Sequence, residues 1–381
     1  MPGDFDFGLS TEQEEHARKL HAQAISVDMC SMGPGGPALF GQLPTATVED
    51  CLRRDASPLG QFMLAMELPY ELAASGESDL LREFCRGHTA ASFACAGTSD
   101  AELAPLARQF ERIDKIDWMS LAHSAEDFRK AHANGSYVTY GYSQPGTGGH
   151  PRDLDQFEKA RAIGMRSVML TYNNQDAVGA GCTDRTNAGL SHYGLEVVEK
   201  LNDLRMIVDT SHCGSQTTLD ACLFSKAPVT ANHTLASRVF NHDRGKSDEE
   251  LRAVADTGGG IGVCAVPFFM VPAGGHASMN TMLDQIDYIA ALVGWQHVGI
   301  GTDWPFMLTD EVAEQTIGKE VAKMGFRKEH NISTSTYLDG YEDARDFINI
   351  TRGLVARGYE NDAIKAILGG NFVRVFEDVV G

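Results

Sequence analysis

Along the chain, short apolar runs alternate with stretches whose apolar positions recur every three or four residues. The runs are 24–29 (AISVDM), 88–96 (HTAASFACA), 136–142 (SYVTYGY), 166–172 (RSVMLTY), 205–211 (RMIVDTS), 227–233 (APVTANH), 259–266 (GGIGVCAV) and 297–303 (HVGIGTD). Between them lie helical patterns such as RDLDQFEKARAIG, YGLEVVEKLNDL, SDEELRAVADTG and MLDQIDYIAALVG. Another helix opens the chain in STEQEEHARKLHAQ, where Ser10 and Gln13 stand at capping-box spacing. Strands that are apolar nearly throughout are buried on both faces, as in parallel sheets covered by helices. Eight of them alternating with helices predict an α/β fold closed into a (β/α)8 TIM-type barrel, with an open doubly wound sheet as second choice. Residues 1–381 read as a single barrel domain, with 1–23 as an N-terminal helical extension. The stretch from about 31 to 87 is too long for a plain connection and predicts an elaborated loop, or cap, after the first strand. A second insertion, roughly 304–340, follows the eighth strand. The glycines of TGGGIG lead into a strand and not into a helix, so they form no dinucleotide loop.

Composition narrows the partners more than the fold. Of 381 residues, 43% are hydrophobic and 22% charged, ordinary for a soluble globular protein. The net charge of −20 argues against nucleic acid or an anionic membrane surface as the main partner. The opening residues are acidic and lack the apolar core of a signal peptide, and no window approaches the ~20 apolar residues of a bilayer span. The eight cysteines form no C-x-x-C pair and no disulfide framework. Together these features predict a cytoplasmic protein with reduced thiols.

The catalytic groups of such barrels sit where the strands end. Read in order, those ends carry Asp28, Cys30 and Met32, then Ser143 and Gln144, Tyr172 and Asn173, His212, His233, and Asp303. Two histidines at successive strand tips are the sharpest constellation, because neutral imidazole is the commonest ligand for zinc, and Asp303 can complete a site. The plainer alternative is that each imidazole is hydrogen-bonded separately at the barrel mouth. Cys30 divides in the same way between a ligand or nucleophile and a small core residue. Cys213, beside His212, points away from it if strand alternation continues. Arg244, in NHDRGKSDEE, is either a surface or capping residue or a rigid fork for a substrate carboxylate.

From about residue 20 to the end, the sequence resembles the membrane (renal) dipeptidases, zinc metallopeptidases with a (β/α)8 barrel and a two-metal site. The resemblance rests on LTYNNQ, GLSHYGLEVVEKLNDLRMIVDTSHCG, APVTANHT, the Arg of NHDRGKSDEE, VGIGTDW and GGNFVRVF. It implies that His212 and His233 match two metal-binding histidines, and that Asp303 matches a metal-site or acid/base carboxylate. It implies that Arg244 matches the Arg that holds the dipeptide's terminal carboxylate. The family's first strand reads Asp-Gly-His-x-Asp, but here the positions are Asp28-Met29-Cys30-Ser31-Met32. The bridging Glu of the third strand has only Ser143 or Gln144 nearby, and the fourth-strand His falls at Tyr172.

Two cations ~3.5–4 Å apart need a carboxylate between them, so the substitutions predict at most one metal in place of two. The ligand set expected for one zinc is His212 and His233, with Asp303 or Cys30 completing it. The expected function is hydrolysis of a dipeptide or small carboxylated amide, with Asp303, Tyr172 and Cys30 as catalytic candidates. Arg244, Tyr172 and Asn173 are the substrate-binding candidates. Two alternatives stand beside it: a metal-free acid/base enzyme (lyase, isomerase or hydrolase) on a small carboxylated metabolite, and an inactive relative that only binds. Barrels of this type often pair, and a homodimer is the expected assembly.

Overall fold

The computed structural model describes residues 3–381, apart from 34–35, 96, 146–148 and 306–307. Eight parallel strands close on themselves: β1 (Val27–Asp28), β2 (Ala90–Cys95), β3 (Tyr137–Ser143), β4 (Met165–Met169), β5 (Ile207–Asp209), β6 (Val229–Ala236), β7 (Gly260–Val263) and β8 (Val298–Ile300). Each pairs with the next in sequence, and Asp28 of β1 pairs with Ile300 of β8 to complete the ring. Every barrel strand falls mainly within a run predicted from the apolar pattern. Two short strands were not foreseen. Met119–Leu121 pairs with the start of β3, and Gly245–Lys246 pairs with the end of β6. Both are too brief to leave a periodic signal.

The helices follow the amphipathic stretches. Asp155–Ile163, His192–Asp203, Asp248–Asp256 and Met279–Val293 turn buried faces to the sheet. The first helix, Thr11–Gln23, carries the predicted reciprocal cap between Ser10 and Gln13. No described helix is long and apolar enough to cross a membrane.

The barrel interior is filled by side chains. Tyr140 stacks on Phe372 at 5.3 Å between ring centroids, and its hydroxyl donates to the carbonyl of Met29 (3.0 Å). Phe128 and Phe376 complete that aromatic group. Met29 reaches so close to β8 that a Cβ at Gly299 would stand 2.6 Å from its sulfur. Any side chain at that glycine would have to displace Met29.

Both predicted insertions are built. Residues 36–85 fold into four helices, the longest Pro58–Ala74, and the segment after β8 forms Asp310–Gln315 and short 3₁₀ turns. The two share a small core of their own, in which Phe40, Phe62, Ala65 and Leu68 pack with Leu308, Ala313 and Ile317. They form a cap over the C-terminal ends of the strands.

Candidate functional site

The ends of β1 and β8 are laced together. Met29 N–H donates to Ile300 O (2.8 Å) and Asp303 N–H donates to Cys30 O (2.7 Å). Asp28 braces the same corner by accepting from Thr302 N–H (2.8 Å), Thr302 Oγ1 (2.6 Å) and Cys30 N–H (3.2 Å). Asp303 takes the left-handed conformation (φ 54°), uncommon for a residue with a side chain. Its carboxylate then lies 3.8 Å from Cys30 Sγ.

A third donor comes from β6. Cys30 Sγ, a ring nitrogen of His233 and an oxygen of Asp303 all lie within 4.8 Å of one another. The tautomer of His233 can be read from its neighbours. Asn232 Oδ1 lies 2.5 Å from His233 Nδ1 and also accepts from Ser211 Oγ (2.9 Å), while Asn232 Nδ2 donates to Met29 O (3.3 Å). The amide orientation makes Oδ1 the acceptor, so Nδ1 carries the proton and Nε2 a lone pair. That Nε2 is buried and has no hydrogen-bond partner. Asp209 anchors the arrangement by accepting from Tyr142 OH (3.0 Å), Thr230 Oγ1 (2.9 Å) and Asn232 N–H (2.7 Å).

His212 lies outside that group of three. Its ring stacks on Tyr172 at 4.2 Å and 18°, with its centroid 5.0 Å from that of His233. Its Nδ1 is 2.7 Å from Asn173 Oδ1. Asn173 in turn donates to Met324 O (2.8 Å), is fully buried and does not line the cavity described below. Asn173 braces His212 from outside the cavity lining.

Arg244 lies buried beside the same strand ends. It is 1% exposed, it donates to the carbonyls of Ser211 and His233, and its Nε has no partner. Its guanidinium lies 5.6 Å from the Phe269 ring centroid. No protein carboxylate pairs with it among the described residues.

Electrostatics follow from burial. The Asp303 carboxyl is pushed up to about 7 by burial, which the guanidinium of Arg244 partly offsets, and burial likewise lifts Asp28 to about 7. Burial, reinforced by Asp303 and Asp28, holds the Cys30 thiol well above its ordinary value. Burial and then Arg244 keep His212 and His233 neutral. A buried thiol among carboxylates is a poor free nucleophile. The same sulfur, with one imidazole nitrogen and one carboxylate oxygen, is a donor set suited to a single zinc. The orphaned Nε2 of His233 fits that reading. Among the described residues no further carboxylate joins this group to hold a second ion: Ser143 Oγ is buried without a partner, and Gln144 donates to Cys30 Sγ (3.3 Å).

Above the donors lies a cavity of about 200 Å³. Asp303, His212, Tyr172 and Gln144 form its polar floor, and the cap forms its walls. Sequence reasoning missed the bracing residues Asp209 and Asn232. The only signal for Asn232 was its place beside His233 in ANH.

A family-wide sequence profile, described as membrane dipeptidase (peptidase family M19), matches residues 75–330. Among curated relatives, an uncharacterised dipeptidase of Schizosaccharomyces pombe is 33% identical over 218 residues, 53% of this chain and 52% of that protein. A dipeptidase of Claviceps purpurea is 24% identical over 284 residues, 71% of this chain and 59% of that protein. The chain spans about half the length of the curated relatives it matches. Among solved structures, an amidohydrolase from Pseudomonas aeruginosa aligns with a TM-score of 0.72 and 26% identity, over 95% of this chain and 98% of that one. A metallopeptidase from Rhodobacter sphaeroides, liganded with a phosphinate mimic of the dipeptide L-Ala-D-Ala, shares the fold. Its TM-score is 0.65 at 16% identity, over 93% of this chain and 99% of that one.

Proposed function

The chain belongs to the membrane dipeptidase family, peptidase family M19, and from that we propose that it is a hydrolase that cleaves the amide bond of a small dipeptide-like substrate, holding one zinc ion on Cys30, His233 and Asp303. The observation that carries this reading is the convergence of those three donors within 4.8 Å, beneath a cavity floored by polar side chains. Bound there, zinc supplies the Lewis acidity that amide hydrolysis at neutral pH draws on.

The chain's own groups divide the remaining work. Asp303 borders both the donor group and the cavity, so it is the carboxylate placed to take a proton from attacking water. Tyr172 lines the cavity with a phenol that burial keeps protonated, and its O–H can donate a hydrogen bond to the scissile carbonyl oxygen. His212, held by Asn173 and stacked on Tyr172, presents Nε2 as an acceptor for a substrate N–H.

Metal analysis and turnover test this together. Purified protein supplied with zinc should hold about one ion per chain and hydrolyse dipeptide-like amides, and a chelator should remove both. Asp303→Asn should lower kcat by about 10²-fold or more. Turnover indifferent to the chelator, or full activity in Asp303→Asn, sinks the reading.

A further inference from the structure

A larger hollow, of about 340 Å³, lies at the end of the barrel opposite the three donors. Its walls come from where strands begin: Ser26 ahead of β1, His88 and Thr89 ahead of β2, and Ser136 and Tyr137 at the start of β3. Catalytic groups of such barrels sit at the other face, so the reaction does not require this space.

Charge sets the hollow apart. In a chain of net charge −20, it is lined by Arg82 and Arg86 with the imidazoles of His21, His88 and His132. No Asp or Glu lines it among the described residues. Neither arginine forms an ion pair there: Arg82 lies 5.8 Å from the Trp118 ring centroid, and the neighbouring Glu83 is taken by Arg345 at 2.7 Å. Arg82 and Arg86 stand four apart on the helix Asp79–Cys85 and its C-cap, so they share one face and can converge on one group.

Unmet donors lie in the same wall. His88 and Trp118 are 5% and 6% exposed, and neither ring nitrogen of His88 nor Nε1 of Trp118 has a hydrogen-bond partner. An indole N–H only donates, and a neutral imidazole always carries one N–H. Such groups are costly to bury unpaired, and what they lack is an acceptor. His21, by contrast, is spent within the fold on Thr351 Oγ1 (2.8 Å) and Gly87 O (3.1 Å). A single water takes up about 30 Å³ of liquid, so the hollow has room for an organic group beside an anionic one.

We propose that this hollow is a binding site for a small organic phosphate monoester. The guanidinium groups of Arg82 and Arg86 take the phosphoryl oxygens, whose charge of about −1.5 to −2 at neutral pH matches two cations. The organic part lies toward Trp118 and Tyr137. The site does not depend on the hydrolase reading.

Calorimetry on the zinc-free full chain at fixed ionic strength tests this, with glucose 6-phosphate, glucose and inorganic phosphate as probes. Glucose 6-phosphate should bind at one site per chain, at least about tenfold tighter than inorganic phosphate, and glucose should not bind. The double variant Arg82→Gln/Arg86→Gln should weaken glucose 6-phosphate at least about tenfold. Both arginines are exposed, so the variant should fold, and its melting temperature without probe checks that. Saturating glucose 6-phosphate should raise the melting temperature of the parent and not of the double variant. No binding of glucose 6-phosphate, equal binding of glucose or of inorganic phosphate, or binding that the double substitution leaves unchanged overturns the proposal.

Discussion

Met29 and Cys30 are neighbours in the chain with opposite surroundings. Met29 fills the barrel beside Gly299, and Cys30 turns to Asp303 and His233. What separates them is strand alternation at the end of β1, which sends successive side chains to different places. The same economy governs His233, whose useful nitrogen is chosen by Asn232. Asn232→Ala should leave the zinc ligands in place yet lower zinc affinity about 10–100-fold, because the imidazole loses the partner that sets its tautomer. Competition against a chromogenic chelator measures this, and an unchanged affinity would remove Asn232 from the site. Elsewhere, His88 is buried between Tyr137 and Phe347, and neither ring nitrogen finds a hydrogen-bond partner elsewhere in the fold. Burial holds it down to about 4. Between pH 6.5 and 4 the unfolded chain therefore takes up a proton at His88 that the folded chain refuses, so stability from this group is lost as pH falls. His88→Phe should melt higher than the parent, with a gap that widens from pH 7 to pH 4. A gap that is constant with pH would show that this imidazole does not titrate on unfolding.

At the scale of elements, glycines set how closely β6, β7 and β8 approach beneath the site. A Cβ at Gly262 would stand 1.9 Å from the Asn232 carbonyl oxygen, and one at Gly301 would stand 1.7 Å from it. That carbonyl is backbone of β6, whose next residue is His233. Gly301→Ala must push β8 away from β6, which should cost about 3 kcal/mol or more and separate Asp303 from His233. Chemical denaturation measures the first effect and zinc titration the second. A variant with unchanged stability and zinc affinity would contradict the packing described here. The long helix Pro58–Ala74 shows a second element-scale rule. Leu59, Phe62, Met63 and Met66 face the cavity while Tyr70 and Ala73 pack into the core outside the barrel, so the periodicity that predicts a helix says nothing about what each part of its apolar stripe faces.

For the whole molecule, the cap has a small core of its own, while Tyr70 and Ala73 of its long helix pack into the core outside the barrel wall. Phe40, Phe62, Ala65 and Leu68 join the first insertion to Leu308, Ala313 and Ile317 of the second, and the cavity lies between this cap and the strand ends. Leu68→Ala should therefore loosen the cap without unfolding the barrel, for a local loss of about 2–5 kcal/mol. Hydrogen exchange should quicken over 45–74 and 310–317 while β3 and β6 keep their protection. Equal quickening throughout would mean that the cap and barrel unfold as one unit.

The sequence by itself determined the barrel. Eight apolar runs spaced by amphipathic helices have few other ways to bury both faces of a parallel sheet, and LTYNNQ, VDTSHCG and VGIGTDW already implied the family. It also located Cys30, His233 and Asp303 at strand ends, because the tips of barrel strands share one mouth. Which of those groups meet was decided by tertiary structure alone. The 2.7 Å bond from Asp303 N–H to Cys30 O spans 273 positions, and no local pattern encodes such a contact. Tertiary packing also drew His212 aside onto Tyr172 and Asn173, and set Arg244 behind Phe269. It made the walls of the cavity from two insertions over 200 residues apart, because apolar side chains carry no address beyond the surface they find to cover.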